Sequence, residues 1–167
     1  DKKVWFIRQA GVTLIEALVS LMLLTIGLIP VVDVISSSLN ISSLIKNNLI
    51  ASNLAQEGVE VVRSLRDANW FDPTIPPFDN GLIGTWRVDW NTDLANNPPQ
   101  ATTIENSPFV KFDSSTGLYN YLTGINTQFR RTITITKTPN LCNCELVITS
   151  HVNWLERGGR VRIVQVE

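Results

Sequence analysis

The chain has 167 residues, of which 44% are hydrophobic and 8% aromatic, and a formal net charge of -1. That length suits one domain plus an anchor, and the near-zero charge argues against a strongly basic nucleic-acid surface. Charge is unevenly placed. Lys2, Lys3 and Arg8 stand near the N-terminus against Asp1, whereas residues 17–32 carry no charged side chain at all.

The first element is the apolar run from Ala17 to Ile35. As a helix rising 1.5 Å per residue it spans about 29 Å, close to the ~30 Å hydrocarbon thickness of a bilayer. The basic flank predicts that the N-terminal end stays cytoplasmic and the rest is exported. A secretory signal peptide has a shorter apolar region with a small-residue cleavage site after it; here the candidate cleavage residue, Gly11, comes before the run. A plain signal anchor explains the basic flank and the length but offers no reason for Gly11 or Glu16. A carboxylate at the front of a lipid-seeking segment costs roughly 2.5–3.5 kcal/mol on insertion scales, so Glu16 calls for a partner. Asp33 reads as an interfacial acid within reach of water. The chain starts at Asp1 rather than at a methionine, which leaves room for a longer leader.

The stretch Gly11-Val12-Thr13-Leu14-Ile15-Glu16-Ala17-Leu18-Val19-Ser20-Leu21 resembles the prepilin-type cleavage and methylation motif of type IV pilins. Thr25-Ile26-Gly27-Leu28-Ile29 is similar to pilus-modification-type minor pilins, and less closely to minor pseudopilins of type II secretion. The resemblance covers the leader and the first half of the long helix closely, the remainder loosely. It implies cleavage after Gly11 by a membrane prepilin peptidase and N-methylation of the new terminus at Val12, where the family more often has phenylalanine. It also implies assembly through Glu16 and Thr13, with other pilin subunits, the peptidase/methylase, an assembly platform and motor, and the inner membrane as partners. Cleavage creates an α-amino group with an unperturbed pKa near 7.7–8, largely cationic at neutral pH, and methylation keeps that charge. Glu16 lies about one helical turn on. Pairing Glu16 of one subunit with the amine of its neighbour removes two lone charges from a low-dielectric environment, and truncating either partner strands the other.

Beyond Ile35 the pattern turns amphipathic. Ile41, Leu44, Ile45, Ala51, Leu54, Ala55, Val59, Val62 and Leu65 recur at three- and four-residue steps, with polar residues between them. The spacing predicts one helix from about Val12 to Arg66, with its second-half stripe covered by a sheet. Pro30 lacks an N–H and crowds the carbonyl of Ile26, and Gly27 loosens the same turn, so a kink is expected there, with local melting when the subunit packs into a filament. Gly58 costs about 1 kcal/mol relative to alanine inside a helix, which close packing against a strand would explain. Glu57 and Glu60 read as a solvated flank rather than a catalytic carboxylate pair.

Residues 67–82, with Pro73, Pro76, Pro77 and Asn80-Gly81, read as a connector, and Trp70, Phe71 and Phe78 as a cap on the core. Trp86, Val88 and Trp90 then alternate with Arg87 and Asp89, as in a strand. Residues 91–126 read as a long loop with short apolar runs at 108–112 and 118–122, the candidate for specificity on a rigid scaffold. Strands are expected at 128–137, 145–155 and 160–166, the last two joined by the turn signal Glu156-Arg157-Gly158-Gly159. They should form an antiparallel meander across the helix stripe, an α+β pilin-like roll. His151 falls on the face opposite the apolar one and reads as an exposed strand histidine. Arg130, Arg131, Lys137, Arg157, Arg160 and Arg162 read as a solubilising sheet surface rather than a DNA contact. Asn91, Asp93, Asn96 and Asn97 lack the bidentate acid of a calcium loop. Cys142 and Cys144 would meet oxidising conditions after export and could pair as a loop disulfide, although a spacing of two makes the bond awkward. Two thiols are short of a four-ligand metal site.

The expected organisation is a cleaved leader over 1–11, a transmembrane or filament-core half-helix over 12–35, an amphipathic half-helix over 36–66 and an exported head over 67–167. The expected function is structural: a minor subunit of a type IV pilus or related filament, anchored in the inner membrane and then carried into a surface pilus or periplasmic pseudopilus, with no cofactor, no metal and no enzymatic activity. The alternatives are a pseudopilin of a type II secretion or DNA-uptake machine and, from another class, a signal-anchored periplasmic binding protein or enzyme.

Overall fold

The computed structural model describes Gly11 and residues 13–72, 74, 77–93, 95–138, 145–156 and 158–167. Val12, Cys142 and Cys144 lie outside the described residues, as do Pro73, Pro76 and Arg157. One long helix is followed by an antiparallel sheet of seven strands, the α+β architecture expected. The helix, α1, runs Leu14–Phe71, and the chain divides into two compact units at Ile45/Lys46.

In the first unit, the helix starts where Thr13 caps it. The Thr13 hydroxyl accepts the Glu16 backbone N–H at 3.3 Å, and the Thr13 carbonyl accepts Ala17 N–H at 3.1 Å. Thr-x-x-Glu is the sequence pattern of a capping box. The acid in the first turn also faces the positive end of the helix dipole. The large apolar side chains from Leu14 to Ile35 are all exposed in the single chain. Ile41 and Ile45, expected to lie under the sheet, remain 58% and 59% exposed within this unit.

In the second unit, the stripe is covered from Ala51 onward. Ala51, Leu54, Ala55, Gly58, Val59, Val62, Leu65 and Asn69 are buried. Two adjoining clusters form the core. Val59, Val62 and Leu65 meet Leu82, Val88, Ile133, Ile135 and Ile148. Ala51, Leu54 and Ala55 meet Val110, Phe129, Val152 and Trp154. A Cβ on Gly58 would stand 2.7 Å from Ile133 Cδ1 and 3.0 Å from Ser150 Oγ, so the glycine sits where helix and strand approach closely, as expected.

The sheet is built around β5 (Ile125–Lys137), with β6 (Leu146–Leu155) along one edge and β7 (Val161–Val166) beyond it. Phe129, Ile133 and Ile135 pair with Trp154, Ser150 and Ile148 on the helix side; Thr132 and Thr134 pair with His151 and Thr149 on the other. The expected meander is thus present. The β6–β7 turn closes with Glu156 N–H donating to the Arg160 carbonyl at 2.9 Å and an Arg162–Glu156 ion pair at 2.9 Å.

The opposite edge of β5 is shared. β1 (Gly84–Arg87) pairs with it at Ile133–Ile135 and carries β2 (Gln100–Ala101), while β3 (Phe109–Asp113) pairs with it between Ile125 and Arg130 and carries β4 (Leu118–Asn120). The sheet therefore forks. The region 91–126, expected as a loop with short apolar runs, holds β2 and the β3–β4 hairpin between stretches of loop. Its strands are two to five residues long, too short for their alternation to stand out from the surrounding Asn, Pro and Thr.

The helix also outruns its expected end at Arg66 by one turn and more. Asn69 is buried, and its side-chain amide donates to the carbonyls of Phe78 at 3.1 Å and Asn80 at 3.0 Å. These bonds tie the last turn to the turn at 77–82, a tertiary contact that overrides the proline-rich signal.

Candidate functional site

The N-terminal turn brings Gly11, Thr13 and Glu16 to one exposed end of α1. Gly11 has open space around it. The Glu16 carboxylate has no hydrogen bond or ion pair among the described residues, although the Glu16 N–H is held by Thr13. An unpaired acid therefore leads a helix whose most apolar window has a mean hydropathy of 2.5 with none of it buried. The helix is long and apolar enough to cross a membrane. So much contiguous apolar surface is a docking surface for lipid or for other protein.

The helix continues unbroken through Gly27 and Pro30. Pro30 has no N–H to return to Ile26, and the Thr25 hydroxyl bonds back to the Met22 carbonyl at 2.9 Å, a local bond that competes with the helical ladder. Thr25, Gly27 and Pro30 thus concentrate three weak points within two turns. Thr25 was legible as a β-branched hydroxyl residue in a helix but carries no separate sequence signal.

The head places the other candidates apart from one another. Glu60 pairs with Arg63 at 2.6 Å on the surface, while Glu57 turns inward to Arg131 at 3.4 Å, so the two acids form no catalytic pair. Arg131 corrects the surface reading of the late basic residues: its side chain is 1% exposed. Its guanidinium donates to the carbonyls of Leu54 at 2.9 Å and Val88 at 2.5 Å, joining helix, β1 arm and β5. Burial works against the charge on Arg131, and Tyr121 and Glu57 act the other way, with a net upward direction. Burial also pushes the Tyr121 phenol up, and the Glu57 carboxylate lies 3.4 Å from the Arg131 guanidinium. The alternation that turns Phe129, Ile133 and Ile135 inward carries Arg131 with them and leaves Arg130 out of phase, so period two was the signal that separates the two arginines.

The remaining basic groups are mostly engaged. Lys137 pairs with the buried Asp79 at 2.6 Å, and Arg130 lies 4.3 Å over the Phe109 ring while donating to the Glu105 carbonyl. Asp93, named for a calcium loop, spends its carboxylate on the N–H groups of Ala95 and Asn96, each at 2.7 Å, and on the Asn96 amide. No group of three metal-ligating side chains occurs among the described residues. His151 is half-buried on the outer sheet face, in the phase expected. Trp70 and Phe71, expected to cap the core, are 70% and 85% exposed, and Trp70 stacks on Phe78 at 5.8 Å. The extension of α1 carries both rings past the sheet.

A family model of the prokaryotic N-terminal methylation motif matches residues 7–32. No curated protein and no solved structure matches the chain. The matched residues contain the capped turn, Glu16 and most of the exposed apolar run. A methylation motif on a long apolar helix, with that helix followed by an antiparallel sheet, gives an α+β pilin-like architecture and supports a type IV pilin-like protein.

Proposed function

We infer that the chain is a low-abundance subunit of a type IV pilus or related filament, cleaved after Gly11 and methylated at Val12. In this reading residues 1–11 are the leader, 12–35 pass from lipid into the filament core, 36–66 carry the head, and 67–167 form it. Its role is structural, and its partners are other pilin subunits, the prepilin peptidase, and the platform and motor that extract it from the inner membrane. The observation that carries the reading is Glu16: an acid without a partner among the described residues, at the head of an apolar surface without a cover there. A neighbour's N-terminal ammonium supplies the missing countercharge, and a neighbour's helix the missing cover. Gly27 and Pro30 place the weak turn where the helix would loosen on packing.

Two measurements test this. Mass spectrometry of the native protein should find a terminus at methylated Val12; an intact leader counts against the class. Glu16→Leu should leave membrane insertion and head export unchanged and block incorporation into filaments. Normal incorporation would refute the pairing role. Deletion that abolishes export of secreted proteins while leaving surface fibres intact would assign the subunit to a secretion pseudopilus instead.

A further inference from the structure

The fork in the sheet leaves a groove beside the β1–β2 arm, lined by Thr85, Arg87, Gln100, Thr102, Thr103 and Asn106, with a volume of about 630 Å³. Recognition sites for small molecules fall in the range of about 300–1,000 Å³. Arg87 also lines the smaller recess on its other side, with Asp89 and Tyr121, so it stands at the junction of the two.

Arg87 differs from most other cations of the head: Arg160, the exception, is exposed. Arg63, Arg66, Arg131, Lys137 and Arg162 each have a carboxylate partner, and Lys111 and Arg130 each donate to a carbonyl. Arg87 is half-buried and has no hydrogen-bond or ion-pair partner among the described residues. Its guanidinium carbon lies 5.0 Å from the centre of the Tyr121 ring. A ring contact of this kind orients a guanidinium and leaves its N–H fork free. The Tyr121 side chain is itself held, because the backbone N–H of Tyr121 donates to the Asp89 carboxylate at 3.2 Å and its hydroxyl to the Arg131 carbonyl at 3.4 Å. Two further side chains in the groove, the Thr103 hydroxyl and the Asn106 amide, also lack partners among the described residues.

We propose that this groove binds a monoanionic, polyhydroxylated ligand of the sugar-acid class, with Arg87 taking the carboxylate and Thr103 and Asn106 taking hydroxyls. A planar guanidinium fork matches a carboxylate bidentately. The threonine and amide lining supplies both donors and acceptors, which suits hydroxyls better than an apolar ligand. The charge count selects one anionic group. Asp89 in the adjoining recess spends its carboxylate on the N–H groups of Asn91 and Tyr121 and on the Thr92 hydroxyl, and no second unpaired cation is among the groove residues described. A nucleic-acid backbone needs several such cations to bind. The inference is independent of whether the filament is a pilus or a pseudopilus.

The test uses the full chain in detergent micelles, titrated with D-glucuronate, D-glucose and inorganic phosphate and followed by amide NMR shifts. Glucuronate should shift the amides of residues 85–87 and 100–106 saturably, while glucose and phosphate at the same concentrations should not. Arg87→Gln should weaken glucuronate binding at least tenfold, Arg87→Lys should weaken it less, and the spectrum elsewhere should report an intact head for both. Asn106→Ala, at an exposed position, should weaken binding several-fold without touching the charge. Saturable binding of phosphate as tight as that of glucuronate, undiminished glucuronate binding to Arg87→Gln, or no saturable shift at millimolar glucuronate would each overturn the proposal.

Discussion

Gly58→Ala probes the closest approach between helix and sheet. The new methyl group would stand 2.7 Å from Ile133 Cδ1, 3.0 Å from Ser150 Oγ and 3.3 Å from Ile133 Cγ1. Alanine in place of glycine favours the helix by about 1 kcal/mol, whereas forcing a methyl group into a packed core costs typically about 1–3 kcal/mol. Ser150 Oγ has no partner among the described residues and can turn aside, but Ile133 is fully buried and wedged. The expected net effect is a destabilisation of about 1 kcal/mol, the overpacking cost less the helical gain. Ile133→Val removes the Cδ1 atom and alone costs about 1 kcal/mol. The double variant should then be more stable than the sum of the two by about 1 kcal/mol, because the obstacle and the intruder are one contact. Urea unfolding of the detergent-solubilised chain, followed by the fluorescence of buried Trp154, reads this out. With a slope of about 2 kcal/mol per molar, Gly58→Ala should lower the midpoint by about 0.5 M. An unchanged or raised midpoint for Gly58→Ala, or strict additivity in the cycle, would refute the claim that steric approach explains the glycine.

Three other outcomes follow from the ion pairs and turns. Arg131→Met should cost about 3 kcal/mol, since it strands Glu57 and two carbonyls, and adding Glu57→Gln should recover part of it; urea midpoints of the single and double variants decide the point. Lys137→Met should cost about 2 kcal/mol by leaving the buried Asp79 without its countercharge, with Asp79→Asn in the same chain recovering much of the loss. Asp72, Asp93 and Asp113 are held below the ordinary carboxyl value of 3.8, foremost by the Thr74 hydroxyl, the Asn96 N–H and the Ser115 hydroxyl respectively. A carboxyl lowered in the folded state stabilises its turn above the ordinary value, and that contribution disappears as pH falls through the lowered one. Carbon-detected NMR titration should therefore find all three titrating below 3.8, and Thr74→Val should move Asp72 back up alone.

The N-terminal half was legible in the residues because its chemistry is one-dimensional. Helix length against bilayer thickness, a glycine ahead of the apolar run, an acid one turn in and a proline in the middle are all set by spacing along a single helix. The amphipathic stripe and the three late strands were legible for the same reason: their periods of 3.6 and 2 repeat enough times to be counted. Even the reason for Gly58 could be anticipated, since a glycine in a long helix is costly without a close neighbour.

Where the sequence stops, the deciding quantity is which segments meet. Alternation puts Arg131 in phase with Phe129 and Ile133, but nothing local shows that the carbonyls of Leu54 and Val88 satisfy its guanidinium there. Asn69 lengthened the helix through carbonyls nine and eleven residues away, and so exposed Trp70 and Phe71. The fork that frees Arg87 exists because two short hairpin arms compete for one edge of β5. Patterning along a chain tells which face of an element wants to be covered; only the folded sheet determines what covers it, because desolvation and hydrogen-bond satisfaction are properties of neighbours in space.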